Sequence, residues 1–297
     1  MQMNKDEINM QYIEVYRWGE EELSQAGIEE SRLDARLLLE HICHTDQNTL
    51  LAHGDREVTG EEMASYQGAI SRRKKHIPVQ YITGVQEFMG LEFRVNGAVL
   101  IPRQDTEVLV EEVMRFMQDG DRILDMCTGS GCILLSLLHY SNYCRGVGVD
   151  ISSEALMVAG ENARRIGQLA RPVKWEEDTV RLIESDLFVN LPAERFEIIV
   201  SNPPYIASSV IPTLMQEVRE YEPLSALDGK EDGLFFYREI IGESRNYLVR
   251  GGRLFLEIGY DQAKAVMVLM KEAGFQEVAV VKDLAGLDRV VHGVWAE

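Results

Sequence analysis

The sequence predicts an α/β domain built on a mostly parallel seven-stranded sheet, with a small helical bundle ahead of it and a β-hairpin between them. Three observations point there. Short apolar runs alternate with amphipathic stretches from about residue 121 onward, glycines and acids sit where those runs end, and the first 85 or so residues carry helical spacing alone. The expected boundaries are 1–85 for a helical domain, 86–104 for a hairpin linker, and 105–297 for the α/β domain.

In order along the chain, "INMQYIEVYRWGEEELSQAG" places Ile8, Tyr12, Val15, Tyr16 and Leu23 near one helical face and stops at Gly27. "SRLDARLLLEHICH" opens on Ser31 as an expected N-cap, with Leu33, Leu37, Leu38 and Ile42 as its stripe. "TGEEMASYQGAISRRKK" carries a capping box, Thr59 with Glu62 three residues on, and its basic run from Arg72 to Lys75 suits a helix C-terminus. "EFMGLEFRVNGAVLIPR" alternates at Phe88, Leu91, Phe93 and Val95, and Asn96-Gly97 is the expected hairpin turn. "DTEVLVEEVMRFM" then reads as an amphipathic helix. The strands follow as "RILDMC", "RGVGVD", "TVRLIESD", "FEIIVSNPPY", "RLFLEIG", "QEVAVVKD" and "RVVHGVWAE", with helical stretches between most of them. Ser152 or Ser153 caps the helix after the second. The last pair has only the turn-like "LAGLD" between its members, so one antiparallel strand is expected near the edge.

Composition limits the function classes. A net charge of −19 opposes extended binding to a phosphate backbone, which needs clustered Lys and Arg, so no direct nucleic-acid binding is expected. There is no apolar run of membrane-spanning length and no secretory signal, which makes the cytoplasm the expected location. Cys43, Cys127, Cys132 and Cys144 show no metal-ligand spacing and read as free thiols. A monomer is expected.

Two stretches carry chemistry. "DMCTGSG", Asp125 to Gly131, joins the first strand to the first helix, where glycines allow close backbone approach and the helix start offers free N–H groups. Asp125 stands at the end of the first strand, Asp150 ends the second and Asp186, a third acid, the next. Singly each acid reads as a cap or turn residue; together along the carboxyl edge of the sheet they point to a ligand. Clustered carboxylates repel a pyrophosphate but suit a sulfonium cation bearing ribose and adenine, so S-adenosylmethionine ranks above NAD. At the end of the fourth strand stands "NPPY", Asn202 to Tyr205. Two prolines cannot extend a ladder, so the strand stops in a stiff loop whose carbonyls meet no competing N–H. The Asn202 side-chain oxygen and the Pro203 carbonyl then suit the two hydrogens of a planar, neutral NH2 group, with Tyr205 packing on its plane. Such acceptors favour the partly positive nitrogen that forms as it attacks.

With those residues in view, "NPPY" and "DMCTGSG" resemble the class I S-adenosylmethionine-dependent amino-methyltransferases, a Rossmann-like group. "PVQYITG" at 78–84, "LIPRQDTEVLVE" at 100–111 and "YEPLSAL" at 221–227 narrow the resemblance to the peptide chain release factor N5-glutamine methyltransferases, across nearly the whole chain. The resemblance implies methylation of the glutamine side-chain nitrogen in the Gly-Gly-Gln motif of bacterial release factors, with the bundle docking the partner. It implies Cys127, Thr128, Gly129, Ser130, Gly131, Asp150, Asp186, Leu187 and Asn202 as cofactor contacts. It implies Asn202, Pro203, Pro204 and Tyr205 as the substrate clamp, with Asn202 catalytic. Three positions depart from the family pattern. Cys127 replaces a more usual glycine, which a negative φ accommodates; Leu187 replaces an aromatic; and Gln104 replaces a proline. The runner-up is an adenine-N6 methyltransferase acting on DNA or RNA, since that amine fits the same clamp. A noncatalytic binding module ranks third.

Overall fold

The computed structural model describes residues 10–169, 175, 176 and 178–296. The chain divides into two compact units, Met1–Gly84 and Val85–Glu297.

The first unit is helical: α1 (Tyr12–Gln25), α2 (Ser31–Cys43), α3 (Gln47–Ala52), α4 (Gly60–Arg73) and α5 (Val79–Thr83). Tyr12, Val15, Leu23, Leu38, Leu39 and Ile70 form its core. Gly27 ends the first helix at φ +78, and Ile8 lies outside the described residues. The capping box forms, with Glu62 N–H donating to Thr59 Oγ1 at 3.2 Å and Thr59 N–H to Glu62 Oε2 at 2.8 Å. Two expectations change. Ser31 is the first helical residue, behind Glu30 as N-cap. Leu33 faces outward at 39% exposure, and Leu39 takes an inner position instead. The basic run does end α4, and Arg73 also turns inward to the buried Asp34, with Nε to Oδ2 at 2.6 Å.

The second unit opens on an antiparallel hairpin, β1 (Val85–Phe88) and β2 (Leu91–Arg94). Its turn is Met89-Gly90, at φ +52 and +68, and not Asn96-Gly97. Both positive φ values match the type I′ twist that two-residue hairpins require. Tertiary bonds hold Met89 there: its N–H donates to Glu107 Oε1 at 2.7 Å and its carbonyl accepts from Tyr140 Oη at 2.6 Å. Asn96 instead turns the chain out of β2, its Oδ1 accepting the Ala98 N–H at 2.9 Å.

A 3-10 turn, Gln104–Thr106, leads into α6 (Glu107–Met114). Then come β3 (Arg122–Met126), α7 (Cys132–His139), β4 (Arg145–Asp150), α8 (Ser153–Leu169), β5 (Val180–Glu184) and β6 (Phe196–Ser201). The chain finishes with α9 (Gln216–Tyr221), α10 (Leu224–Leu227), α11 (Phe235–Tyr247), β7 (Leu248–Glu257), α12 (Ala263–Glu272), β8 (Gln276–Lys282) and β9 (Asp288–Val294). Ser152 caps α8, its Oγ accepting the Ala155 N–H at 3.1 Å. The seven-stranded sheet runs β5-β4-β3-β6-β7-β9-β8, parallel as far as β7, with β9 antiparallel to both of its neighbours.

Both faces of the sheet are covered, which is why its central strands are apolar at successive positions. Ile123 of β3 and Ile198 and Val200 of β6 pack with α6, α7 and α8 on one side. Leu124 and Ile199 pack with α11 and α12 on the other. Phe88, Leu91 and Phe93 of the hairpin join the first of these layers. Strand order reverses between β3 and β6, and the crevice at such a reversal is where open α/β sheets hold ligands.

Candidate active site

Sheet register sets the site. Val149 of β4 pairs with Met126 of β3, Met126 with Ser201 of β6, and Ser201 with Leu256 of β7. One residue further on, Asp150, Cys127, Asn202 and Glu257 therefore form a row across four strand ends. Ser201 Oγ donates to the Met126 carbonyl at 2.6 Å and pins the central pair.

A cavity of about 400 Å3 opens above this row, within the size range of small-molecule sites. Its wall includes Cys127, Thr128, Gly129, Ser130, Asp150, Asp186, Leu187, Asn202 and Pro204. Gly131, Pro203 and Tyr205 lie outside the wall. Gly131 works behind it as the N-cap of α7 at φ +80, where a Cβ would sit 3.0 Å from Leu135.

Asp150 is held with both oxygens engaged. Oδ2 accepts the Gly129 N–H and Oδ1 the Ser152 N–H, each at 2.9 Å. Burial raises its carboxyl above the ordinary aspartate range, while these backbone bonds pull the other way. Asp125 differs from expectation. It lies fully buried inside β3, takes the Thr128 hydroxyl at 2.6 Å, and is absent from the cavity wall. Burial pushes its carboxyl up to about 7, so its work is to hold the loop.

Cys127 has φ +62, not the negative value that would accommodate its side chain without strain, and Leu187 has φ +48. Left-handed backbone costs an L-residue about 1–2 kcal/mol. The chain must bend sharply here, because the Thr128 N–H returns to the Val149 carbonyl at 2.9 Å. Asn162 supports the same loop from α8, its Nδ2 donating to the Ser130 carbonyl at 2.9 Å and its Oδ1 accepting the Arg94 N–H at 2.7 Å.

At the other strand end, Asn202 Nδ2 donates to Thr106 Oγ1 at 3.3 Å, which leaves Oδ1 as the free acceptor of that amide. Burial pushes the Tyr205 phenol up to about 12, so it stays protonated at neutral pH. The Tyr205 carbonyl takes Gln262 Nε2 at 3.0 Å, and Gln262 Oε1 takes the Gly259 N–H at 2.9 Å. Two glycines press on this loop. A Cβ at Gly229 would stand 2.8 Å from the Tyr205 backbone, and one at Gly233 would stand 2.4 Å from the Tyr205 carbonyl oxygen.

Gly233→Ala therefore combines strain at φ +72 with a steric push on the loop, whereas Gly286→Ala meets φ +81 in open space. We expect Gly233→Ala to destabilise by well over 1 kcal/mol in urea unfolding, beyond the loss in Gly286→Ala. Equal losses in the two variants would show that the loop tolerates displacement.

Several cavity residues carried no role in the sequence reading. Leu100, Pro102, Arg103 and Thr106 line the cavity, as do Pro223, Ser225 and Ala226, and Arg103 ties the two stretches together through the buried Glu222. Both groups fall in the quoted stretches "LIPRQDTEVLVE" and "YEPLSAL", so the signal was there without its geometry.

The chain matches two known families, the PrmC N-terminal domain over residues 14–84 and the methyltransferase small domain over residues 104–219. It is 42% identical over 279 residues to the release factor glutamine methyltransferase of Geobacter sulfurreducens, covering 94% of this chain and 95% of that one. It is 43% identical to the Moorella thermoacetica enzyme of the same name, covering 90% and 92%. A methyltransferase from Pyrococcus furiosus shares the fold, with TM-score 0.51 at 16% identity, over 79% of this chain and 100% of that chain. The Rossmann-like sheet, the acid-edged cavity at its reversal and the end-to-end likeness to these enzymes agree: the chain belongs to the release factor glutamine methyltransferase family.

Proposed function

We propose that the protein methylates the side-chain amide nitrogen of the Gly-Gly-Gln glutamine in peptide chain release factors, using S-adenosylmethionine. The observation that carries the reading is Asn202. It stands in the cavity wall one strand from Cys127 and two from Asp150, with its NH2 turned to Thr106 and its oxygen left to accept. A glutamine amide has two N–H donors and a nitrogen lone pair delocalised into its carbonyl. Asn202 Oδ1 and the Pro203 carbonyl take those donors and favour the pyramidal nitrogen that the lone pair needs to react.

The donor set fits the cofactor. Asp150 is a pre-aligned carboxylate suited to two ribose hydroxyls, Asp186 and Leu187 flank the adenine end, and the loop from Cys127 to Gly131 brings its backbone against the cofactor while its Thr128, Gly129 and Gly131 N–H groups are held by Val149, Asp150 and Thr128. S-adenosylmethionine, when bound, supplies an electrophilic methyl carbon on a cationic sulfur. The chain's part is to bind and orient both molecules and to accept the hydrogens of the amide. The N-terminal unit binds the release factor, the enzyme acts as a cytoplasmic monomer, and nucleic acid is not bound directly. Among the described residues no helix is long and apolar enough to cross a membrane.

Incubation with methyl-labelled cofactor and an intact release factor should place one methyl group on that glutamine, read by tandem mass spectrometry of the digest. No transfer, or label on another residue, would overturn the reading. Transfer instead to adenine in DNA or RNA would favour the competing assignment.

A further inference from the structure

We propose that Glu257, acting on Asn202 directly and through the Thr106 hydroxyl, is a positioning residue that turns the Asn202 amide with its oxygen toward the cleft. The proposal rests on the amide-clamp reading of Asn202 and extends it to a residue 55 positions away in sequence, 257 minus 202.

Glu257 ends β7, and the Ser201–Leu256 pairing sets it beside Asn202. It is 2% exposed, as is Thr106. The neighbouring Thr106 and Asn202 side chains favour its ionised form, while Oε2 has no hydrogen-bond partner among the described residues. A carboxylate only accepts. Thr106 has one hydroxyl proton, and giving it to Glu257 leaves the hydroxyl oxygen as an acceptor. Asn202 can meet that oxygen only with its NH2, which is the contact observed at 3.3 Å. The Asn202 oxygen is thereby turned away from the pair. A carboxylic acid or an amide at position 257 can donate to Thr106 and free its proton for the Asn202 oxygen, and the amide then loses its fixed sense.

The groups facing Glu257 act in both directions. Arg289 on β9 favours the ionised form and Asp105 opposes it. Arg289 is itself held by Asp283 at 2.9 Å and Asp105 at 3.1 Å. Tyr205, Tyr237 and Cys132, the other titratable neighbours, stay neutral because burial raises all three. Burial also pushes the Glu257 carboxyl itself up to about 7. Since the ionised form is the orienting one, turnover rises as pH climbs through that value and falls below it.

The test is steady-state kinetics of the full-length enzyme on an intact release factor, with cofactor affinity measured by calorimetry. Thr106→Val and Glu257→Gln should each lower kcat by about 10- to 100-fold, with cofactor Kd within about twofold. The double variant should be no slower than Glu257→Gln alone, because that change already removes both contacts that orient the amide. Thr106→Ser keeps the hydroxyl and should recover most of the rate. The fall in kcat below neutral pH should vanish in Glu257→Gln. Unchanged kcat in Glu257→Gln, multiplying losses in the double variant, or an acid limb that persists, as the buried Asp125 would give, would each overturn the inference. Wild-type enzyme that transfers nothing defeats the functional reading and this inference together; active wild type with an unaffected Glu257→Gln defeats the inference alone.

Discussion

Asn202→Ala should lower the turnover of release-factor methylation by about 10²–10³-fold while leaving cofactor affinity nearly intact. The effect follows from what Asn202 alone supplies in the wall. Its Nδ2 is tied to Thr106 at 3.3 Å, so the side chain is already oriented before substrate arrives. In the proposed reaction its Oδ1 is one of two acceptors for the amide hydrogens, and their charge grows only as the nitrogen begins to bond. Removing that acceptor weakens the reacting arrangement more than the resting one, so kcat falls and KM changes little. Alanine also leaves a hydroxyl at Thr106 without its donor. Calorimetry and single-turnover rates separate the outcomes: a cofactor affinity that fell in step with rate would make Asn202 a cofactor ligand above all.

Asp150→Ala should act on the opposite term, weakening cofactor binding by about 10²–10⁴-fold. A hydrogen bond to a charged group is worth about 1.5–3 kcal/mol, and two ribose hydroxyls make two such bonds. The carboxylate is prepared for them, because the Gly129 and Ser152 N–H groups fix both oxygens at 2.9 Å. Alanine removes the acceptor and also frees the glycine loop from β4. Asp150→Asn should lose less, since one amide oxygen still accepts. The pH dependence has a definite sign. The folded carboxyl sits above the ordinary aspartate range, so affinity falls as acid protonates it at a higher pH than an exposed aspartate would show. Isothermal titration across pH checks both the size and the sign; affinity unchanged in Asp150→Ala would place the ribose elsewhere.

The parts of this site that were legible in sequence are those a single strand end declares by itself. "NPPY" can only terminate a strand, and an acid after "GVGV" can only sit at a carboxyl edge, so Asn202 and Asp150 were found without knowing their neighbours. Thr106, Glu257 and Gln262 were not, because each matters only through register: Glu257 is beside Asn202 because β6 pairs with β7 in one particular alignment. Local rules also lost where tertiary bonds decided. Asn96-Gly97 is the stronger turn dipeptide, yet Met89 is held left-handed by Glu107 and Tyr140, and the hairpin closes there. Cys127 took a positive φ for the same kind of reason. The Thr128 N–H reaches the Val149 carbonyl, and the bend this demands outweighs the preference of its side chain. Asp125 looked like a third ligand acid because "DMCTGSG" puts it one residue from the end of β3. Strand alternation instead turns it inward onto Thr128.

The most direct measurement is a crystal structure with the demethylated cofactor and a glutamine-bearing release-factor fragment. The account predicts the substrate amide nitrogen within about 2.7–3.2 Å of both Asn202 Oδ1 and the Pro203 carbonyl oxygen. A glutamine whose nitrogen meets the NH2 of Asn202, or approaches neither oxygen, would contradict it.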